Sequence, residues 1–577
     1  MNSLRYKDVL YDDMWPAADL RELMNGVVER YGDKAAYLVK DRPGGSYQPI
    51  SFRQFRKDVT AFGTALLDLG LNGKNIAVIG ENRYEWIVTY MATACGVGVI
   101  VPIDRELAAE EIANLLSRSG AAAIVYSGKA EKTVANAISV LGGIDIKISM
   151  DAAEHSEDHY SMHALIDSGS SMIEDGRREY ARQEIDPYAM CALLFTSGTT
   201  GLAKGVMLSH HNIMANVRGM RGHVNATGKT ALDVLPMHHT YEFSCGILGT
   251  MYQGCTVAIC EGLKYIVKNM AECKANLILG VPLIFEKMHQ KVWKQAESQG
   301  KAKTMRRAIA VSKAVGGENL KRATKRVFKA VHEAMGGEME LIIAGGAACD
   351  PTVISDFNAM GIRMIQGYGM TENAPIIAVN KDRCSKDASA GLPMPSTVVR
   401  VEDPDEDGIG EIVYKSESVM IGYYKDPEET AKVLRDGWLY SGDYGYVDED
   451  GFVFITGRKK NVIVTKNGKN IFPEEVEYYL LKSDFIEEVV VWGKDEDKIG
   501  DTLICAEIYP DLSAVRERFG DYVATNEEEL RGLIDKEIDK ANEQMPPYKR
   551  VKRFTLRDKA FEKTTTQKIK RHTIAHE

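Results

Sequence analysis

One segment indicates the fold of this chain most clearly. It is Phe195-Thr-Ser-Gly-Thr-Thr-Gly-Leu-Ala-Lys204-Gly205, which begins at the end of the short apolar run Ala192–Phe195. Gly198 and Gly201 accept positive φ and have no Cβ, so the backbone can wrap closely around an anion. Successive backbone N–H groups can form an anion-binding nest, Lys204 adds positive charge, and further donors come from the hydroxyl groups of Thr196, Ser197, Thr199 and Thr200. The segment therefore predicts a strand followed by a phosphate-binding loop. The spacing does not match a Walker A loop, and an ordinary Ser/Thr/Gly turn is the alternative.

Outward from this loop, helix and strand patterns alternate. Ser51 is placed to cap a helix that ends near Gly70, with apolar residues at helical spacing between them. Strands are predicted at Ile76–Ile79, Ala122–Tyr126, Leu341–Ala344 and Arg363–Gln366. This rhythm predicts an α/β fold with parallel or mixed sheets flanked by helices, whereas the polar residues 144–185 predict an irregular surface excursion.

The pattern becomes shorter and α+β-like from about residue 458. Thr525 and Glu528 are spaced as a capping box that opens a helix containing Leu530, Ile534 and Ile538. The polar junction Gly457–Asn461 predicts a domain boundary, and hinges are often a few residues of this kind. Lys460 is then either a pivot or a solvated linker lysine.

The composition excludes several classes of protein. The chain has 577 residues with 82 acidic and 72 basic side chains, a net charge of -10 and 45% apolar residues, so no global cationic surface for nucleic acid is expected. There is no apolar run of the ~20 residues that span a bilayer and no secretory signal pattern, and the nine cysteines are dispersed, which together predict a cytoplasmic protein with reduced thiols.

Residues 301–329 hold ten Lys/Arg and one Glu; a solvated helical face is the favoured interpretation, and contact with an anionic membrane at its inner face is the alternative.

Two further segments carry nucleotide-type chemistry. Gly367-Tyr-Gly-Met-Thr371-Glu372 offers an aromatic ring, a hydroxyl group and a carboxylate, and a lone carboxylate suits Mg²⁺ shared with phosphate oxygens. Tyr368 could equally be a core aromatic residue. Asp443 can accept hydrogen bonds from vicinal ribose hydroxyls, but an Asx-turn is common for Asp beside Gly.

Two more candidates are ambiguous from the residues alone. His239, in Leu235-Pro-Met-His-His239-Thr-Tyr-Glu242, is either a core histidine or part of a substrate pocket. Lys568, in a basic run near the C-terminus, is either part of a frayed tail or a functional group.

Six segments in this order resemble the adenylate-forming superfamily, which includes the acyl-CoA synthetases. The first five are the loop at 195–205 and the segments at 235–242, 367–372, 438–443 and 457–460. The sixth is a C-terminal set made up of Gly468–Glu477 and Thr566–Arg571. One motif would be weak evidence, whereas six in order are hard to obtain by chance.

The resemblance implies a role for each matching residue. Tyr368 stacks on adenine, Thr371 contacts the α-phosphate, Glu372 holds Mg²⁺, and Lys460 is the hinge. Thr371, His239 and the adenylating Lys568 act in catalysis. Many members carry Gly where this chain has Gln567, which leaves Lys570 as the alternative lysine. The implied nucleotide-binding residues are Thr196, Ser197, Gly198, Thr199, Thr200, Gly201, Lys204, Gly345, Gly367, Tyr368, Thr371, Asp443 and Arg458.

The resemblance also implies the domains and the reaction. Residues 1–457 would form a large α/β domain with a β-barrel-like portion, 458–461 a hinge, and 462–577 a small mobile α+β domain. The expected activity is ATP-dependent ligation of a medium- or long-chain fatty acid to coenzyme A, with Mg²⁺. Transfer to an acyl carrier protein, an aryl acid as substrate, and nucleotide binding without turnover are the alternatives.

Overall fold

The structure is a computed structural model that describes residues 11–196, 203–315, 321–465, 469–496, 501–564, 569–571 and 574. The α-helices are α1 (Leu20–Tyr31), α2 (Phe52–Asp68), α3 (Tyr84–Ala94), α4 (Ala109–Ser119), α5 (Glu131–Leu141), α6 (Met162–Glu174), α7 (Glu179–Arg182), α8 (His210–His223), α9 (Thr250–Tyr252), α10 (Ile266–Cys273), α11 (Pro282–Ser298), α12 (Ala302–Val315), α13 (Lys321–Val327), α14 (Lys329–Ala334), α15 (Pro351–Ala359), α16 (Pro427–Val433), α17 (Pro473–Leu480), α18 (Leu512–Phe519), α19 (Asp521–Thr525) and α20 (Glu527–Glu543). A π-helix spans Tyr241–Gly249.

The strands are β1 (Ala35–Lys40), β2 (Tyr47–Ser51), β3 (Lys74–Ile79), β4 (Gly98–Ile103), β5 (Ala121–Tyr126), β6 (Ile146–Ser149), β7 (Tyr160–Ser161), β8 (Met190–Thr196), β9 (Lys204–Ser209), β10 (Thr230–Asp233), β11 (Thr256–Ile259), β12 (Leu277–Gly280), β13 (Leu341–Ala344), β14 (Arg363–Gly369), β15 (Ile376–Val379), β16 (Leu392–Pro393), β17 (Thr397–Glu402), β18 (Gly410–Ser416), β19 (Gly422–Tyr423), β20 (Leu434–Arg435), β21 (Trp438–Val447), β22 (Val453–Arg458), β23 (Ile463–Val464), β24 (Asn470–Ile471), β25 (Ile486–Glu496), β26 (Asp501–Pro510) and β27 (Val551–Leu556).

The described residues divide into two compact units. The first comprises residues up to Val399 together with Tyr414–Leu439 and Glu449–Val453, and the second comprises Arg400–Val413, Tyr440–Asp448 and the chain from Phe454 onward. The chain passes between the units within β17, β18, β21 and β22. These strands and β20 form a five-stranded sheet.

Two large sheets build the first unit. Within the described residues, one has the order β19-β9-β8-β4-β3-β5-β6-β7 and the other β16-β15-β14-β13-β12-β10-β11-β1-β2. The neighbours of β3 and of β12 are parallel, whereas β8 and β9 form an antiparallel hairpin. The α/β prediction is therefore confirmed.

Alternation along the central strands explains why both faces of these sheets are covered. In β3, Ile76 and Val78 belong to the core that contains α2, α3 and α8, whereas Ala77 and Ile79 pack in a separate core with α4. Successive side chains of a strand point to opposite faces, so a fully apolar strand requires helices on both sides. Ser51 caps α2 as predicted, its hydroxyl accepting from the Gln54 N–H at 3.1 Å.

Two local predictions are wrong. Residues 144–185 are not irregular: they contain β6, β7, α6 and α7, and α6 packs closely on α2 because Gly169 lies against the backbone of Ala61. The polar residues that suggested a loop lie mainly on the exposed side of α6. The capping box at Thr525 is also wrong, because Asn526 caps α20 and Thr525 ends α19.

The second unit has its own core. Within the described residues its main sheet is β25-β26-β27, with β25 and β26 antiparallel and β26 and β27 parallel. Ile534 and Ile538 of α20 pack on this sheet together with Val476 and Leu480 of α17. No helix among the described residues of either unit combines the length and apolarity needed to cross a bilayer.

Candidate functional site

The predicted phosphate-binding loop begins and ends on a β-hairpin of the first unit. Thr196 at the end of β8 pairs with Lys204 at the start of β9. Ser197, Gly198, Thr199, Thr200 and Gly201 lie outside the described residues. The hairpin therefore fixes the two ends of the predicted loop, as expected for a strand that leads into an anion-binding turn.

Lys204 is held by groups that the sequence reasoning missed. Its Nζ lies 2.6 Å from Glu429 Oε2 on α16 and 5.0 Å from the centre of the Tyr423 ring. The hydrogen bonds from Lys204 and Lys432 lower the pKa of Glu429 to about 2, so this carboxylate is charged at neutral pH. The ammonium group is thus paired with a carboxylate of its own chain.

Tyr423 joins this lysine to the predicted metal ligand. The Tyr423 hydroxyl donates to Glu372 Oε1 at 2.8 Å, and the Met420 N–H donates to the Glu372 carbonyl, also at 2.8 Å. Glu372 stands in a short 3₁₀ turn, Thr371–Asn373, directly after β14. The structure thus brings Lys204, Thr371 and Glu372 together, although 167 positions of the chain separate Lys204 from Thr371.

A buried asparagine fixes that turn. The Asn216 side chain, fully buried on α8, donates to the carbonyls of Asn373 at 3.1 Å and of Ile376 at 2.9 Å. A buried amide so engaged holds the turn in one position, because each lost hydrogen bond would leave a buried polar group unsatisfied. Single-sequence reasoning had no signal for Asn216, because a lone Asn in a helix is unremarkable.

The described residues provide only part of the ligands that the predicted Mg²⁺ site would need. Among the described residues, no group of three or more His, Cys, Asp or Glu could enclose a metal ion. Glu372 is half-buried and presents a single carboxylate. This fits Mg²⁺, which typically takes one or two protein carboxylates and completes its shell with water and phosphate oxygens.

Tyr368 and Gly367 occupy the end of β14. Gly367 pairs with Val379 of β15, and Tyr368 is partly buried against the core. Tyr368 can therefore be both a core aromatic residue and a residue that stacks on adenine. Part of its side chain packs against the core, and part of the residue stays exposed.

Gly345 lies beside the start of the π-helix. A Cβ at Gly345 would stand 2.8 Å from the Tyr241 ring, whose hydroxyl donates to the Ile343 carbonyl at 2.9 Å. Glycine at this position allows the ring to approach the chain that leaves β13. Tyr241 is a second residue that the sequence reasoning did not single out.

His239 precedes the π-helix and is half-buried. Its ring centre lies 4.5 Å from that of His238, and its carbonyl accepts from the Phe243 N–H. Burial lowers the pKa of His238 to about 3, so the neighbouring imidazole is neutral. The structure gives His239 an intermediate environment, consistent with either of its two interpretations.

A mostly apolar cavity lies next to these residues in the first unit. It is enclosed by α8, the π-helix and the sheet strands β12, β13 and β15. We call it the apolar cavity; it is lined by Met220, Val224, Ala226, Tyr241, Cys245, Gly249, Thr250, Gln253, Leu277, Leu279, Ile343, Ile376 and Val379. Tyr241 both lines this cavity and contacts Gly345, so the cavity ends close to the chain that follows β13.

The second unit holds the predicted ribose ligand. Asp443 is almost fully buried, and its Oδ1 lies 2.9 Å from Arg458 Nε. It lies within β21 rather than in an Asx-turn, and Gly442, at φ +68°, interrupts the regular strand just before it. The Ser441 hydroxyl accepts from the Asp443 N–H at 3.0 Å. The pair Asp443–Arg458 is therefore built into adjacent positions on β21 and β22.

Lys460 lies in a 3₁₀ turn, Lys459–Asn461, that links β22 to β23. Desolvation, followed by the charges of Arg458 and Arg571, lowers its pKa. Its neighbour Lys459 pairs with Glu411 at 2.6 Å. The junction thus forms a 3₁₀ turn, with the charged residues Arg458 and Lys459 directly before the predicted pivot.

Lys568 lies outside the described residues, but the chain on either side is anchored in the second unit. Lys563 and Ile569 form an antiparallel bridge, and the Lys570 N–H donates to the Glu562 carbonyl at 2.8 Å. Arg571 bonds to the carboxylate of Glu477, a residue of α17. A frayed terminal tail would lack such partners.

Comparisons with known proteins match most of the chain. A family model described as AMP-binding enzyme matches residues 25–424, and one described as AMP-binding enzyme C-terminal domain matches residues 460–577. The long-chain-fatty-acid–CoA ligase FadD15 of Mycobacterium bovis is 27% identical over 95% of this chain and 94% of its own. The chloroplastic long-chain-fatty-acid–[acyl-carrier-protein] ligase AEE15 of Arabidopsis thaliana is 25% identical over 90% of this chain and 79% of its own.

A solved structure shows the same fold. The anthranilate CoA ligase AuaEII in complex with anthranoyl-AMP has a TM-score of 0.75 and 18% identity, covering 98% of this chain and 96% of its own. At this identity the likeness concerns the fold.

Proposed function

Because the chain belongs to the family of AMP-binding enzymes, we propose that it activates a medium- or long-chain fatty acid with ATP and transfers the acyl group to coenzyme A. The family match confirms the resemblance drawn from the motifs. The observation that carries the proposal is the connected group Lys204–Tyr423–Glu372, which joins a cation suited to phosphate to a carboxylate suited to Mg²⁺.

The reaction proceeds in two steps. A carboxylate oxygen of the acid attacks the α-phosphorus of ATP, the bond to the bridging oxygen breaks, and pyrophosphate leaves, which gives an acyl-adenylate. The thiolate sulfur of coenzyme A then attacks the acyl carbon and releases AMP. The protein contributes mainly positioning and charge stabilisation, as in other phosphoryl chemistry.

In the first step, Lys204 and the hydroxyl groups of the loop at 196–200 hold the phosphates. Glu372 would hold Mg²⁺, which neutralises charge on the phosphate oxygens when bound. Thr371 contacts the α-phosphate, Tyr368 stacks on the adenine, and Gly345 and Gly367 allow close approach of the backbone. Asp443 and Arg458 bind the ribose.

Lys568 supplies a positive charge to the phosphates in the first step only. The second step needs space for the thiol, so the C-terminal domain, residues 462–577, turns about Lys460 between the two steps. The anchoring of the flanking chain by Lys563 and Arg571 supports this role, because a lysine on a fixed base can be delivered by rotation of a whole domain.

The apolar cavity supports a fatty acyl chain as the substrate. An acyl chain stabilises its complex by leaving water, at about 0.8 kcal/mol for each buried CH₂ group. His239 stands before the π-helix that forms one wall, where it can contact the carboxyl end of the substrate. An aryl acid is the alternative that the same cavity leaves open.

Two finer features belong to the proposal. The acceptor is coenzyme A, and the acyl carrier protein named for the Arabidopsis relative is the alternative acceptor. Contact with an anionic membrane surface through the basic residues of 301–329 is the alternative to a solvated helical face: Ile309 of α12 is buried, while Arg306, Arg307 and Lys303 are exposed. Several of these cations pair with carboxylates, such as Lys313 with the buried Asp356, so the contact would be weak and salt-dependent.

A panel of acids tests the proposal. Acids from acetate to stearate, together with aryl acids, are incubated with ATP, Mg²⁺ and either coenzyme A or acyl carrier protein, and AMP is measured. The expected result is AMP formation that is greatest for medium- or long-chain acids with coenzyme A. AMP formation only with carrier protein, only with aryl acids, or with no acid would contradict it.

A further inference from the structure

Two acidic side chains are buried together where β10 meets the π-helix. Asp233 ends β10, and Glu242 is the second residue of the π-helix; each is 1% exposed. The two carboxyl groups are hydrogen-bonded to each other. Neither Asp233 Oδ2 nor Glu242 Oε2 has another hydrogen-bond partner among the described residues.

The remaining contacts of the pair connect three segments. Asn82, which follows β3, donates to Asp233 Oδ1 at 2.8 Å and to the Leu235 carbonyl at 2.6 Å. The Asn82 carbonyl oxygen accepts from the Met237 N–H at 3.2 Å, and the Leu235 backbone bonds to Glu242. The segment that leads to His239 is therefore held by hydrogen bonds to Asn82 and to the carboxyl pair.

A hydrogen bond between two carboxyl groups requires one proton, because an ionised carboxylate can only accept. Two ionised carboxylates in contact and out of water would be strongly unfavourable. Burial raises the pKa of Asp233 to about 7, and burial together with the charge of Asp233 raises the pKa of Glu242. The protonated state is thus the one compatible with the observed contact.

The other groups that face the pair are Tyr241 and Cys245 on the π-helix and Cys260 after β11. Burial raises the pKa of each of them, so they are neutral when the pair titrates. No cation among the described residues contributes to the pKa of Asp233 or Glu242. Loss of the shared proton therefore leaves a second negative charge without compensation.

We propose that Asp233 and Glu242 are positioning residues that share one proton, and that this proton holds the π-helix in the position where Tyr241 and Cys245 form a wall of the apolar cavity. The inference rests on the proposed function, because that function makes the acyl chain of the substrate the ligand of the cavity. When the proton is lost, the π-helix separates from β10 and the cavity loses its shape. Binding of the acid then weakens, while the phosphate-binding group Lys204–Tyr423–Glu372 remains intact.

The matched variant is Glu242→Gln. Its amide nitrogen donates to Asp233 without any proton that can be lost, and its carbonyl oxygen accepts from Leu235. In the wild type, the KM for the acid in ATP–pyrophosphate exchange should rise as the pH increases through the raised pKa of Glu242, by up to tenfold per pH unit for one ionisation, with little change in the KM for ATP. In E242Q, the KM for the acid should stay flat over the same range. Parallel pH profiles of the two proteins would overturn the inference.

Two measurements need no substrate. Infrared spectra at about pH 8, above the Asp233 pKa of about 7, should show the C=O band of a buried protonated carboxyl group, which E242Q lacks because its Asp233 is ionised there. In addition, an acid whose pKa is raised by folding loses its stabilising contribution as pH rises from the unfolded value of about 4 to the folded value of about 7. The thermal midpoint of the wild type relative to Asp233→Asn should therefore fall between about pH 4 and about pH 7.

Glu261→Gln provides the control for stability. Hydrogen bonds from Lys40 and Asn269 lower the pKa of Glu261 to about 2, so the wild type relative to E261Q should not change above about pH 5. An infrared band that persists in E242Q, or a D233N difference that is as flat as that of E261Q, would refute the shared proton. A protein that shows the shared proton but activates no acid would refute the proposed function alone.

Discussion

The hydrogen bond from Tyr423 to Glu372 provides the sharpest test of the candidate site. Replacing Tyr423 with Phe removes one hydroxyl group and leaves the ring in place against Lys204. The bond is 2.8 Å long, its acceptor is an acidic side chain, and Tyr423 is only 6% exposed. Hydrogen bonds to charged groups contribute about 1.5–3 kcal/mol, so kcat/KM for MgATP should fall about 10- to 150-fold.

The assay is acid-dependent ATP–pyrophosphate exchange at varied MgATP and saturating acid. Tyr424→Phe is the matched control, because Tyr424 is adjacent in sequence and contacts the hairpin through its backbone N–H, which donates to the Gly205 carbonyl. Y424F should keep kcat/KM within about twofold of the wild type. The reasoning fails if Y423F behaves like Y424F, or if both variants lose exchange equally while remaining folded.

Four further outcomes follow from the same geometry. Lys568→Ala should abolish ATP–pyrophosphate exchange but still convert a supplied acyl-adenylate and coenzyme A to product; equal loss of both half-reactions would contradict its role. Asp443→Asn should raise the KM for ATP, because the amide no longer balances Arg458, and an unchanged KM in ATP–pyrophosphate exchange would argue against a ribose ligand. Asn216→Ala should lower the free energy of unfolding by about 1–3 kcal/mol, measured by denaturant titration; no loss would mean that the Thr371–Asn373 turn is held by other contacts. Gly249→Leu should fill part of the apolar cavity and reduce activity on the longest acids relative to shorter ones, by about 10-fold or more for each methylene excluded, and an unchanged chain-length profile would place the acyl chain elsewhere.

The parts of the fold that could be predicted are those with strong local signals. The capping hydroxyl of Ser51 and the alternation of β3 each leave a pattern within a few residues. The order of motifs identified the family, because their spacing along the chain is characteristic even though their packing is not visible in the sequence.

The parts that could not be predicted depend on contacts between distant segments. Glu429 pairs with Lys204 across 225 positions, and Asn216 reaches Asn373 across 157. Nothing near Tyr423 in the sequence indicates that its hydroxyl group meets Glu372. The helix α6 was missed for a related reason: its polar residues resemble a loop until α2 is known to cover its apolar side.

The buried pair Asp233–Glu242 illustrates the same limit. Glu242 stands in a quoted motif, yet only the fold brings Asp233 to it, and only burial makes a carboxyl group retain a proton near neutral pH. Sequence reasoning identified the segment but assigned its chemistry to His239 alone.

The central claim is that a carboxylate oxygen of the substrate attacks the α-phosphorus of ATP. An acid labelled with ¹⁸O in its carboxylate tests this step directly. The account predicts that one labelled oxygen atom appears in AMP for each acyl-coenzyme A formed, as measured by mass spectrometry of the isolated nucleotide. Unlabelled AMP, or formation of ADP with label in inorganic phosphate, would contradict it.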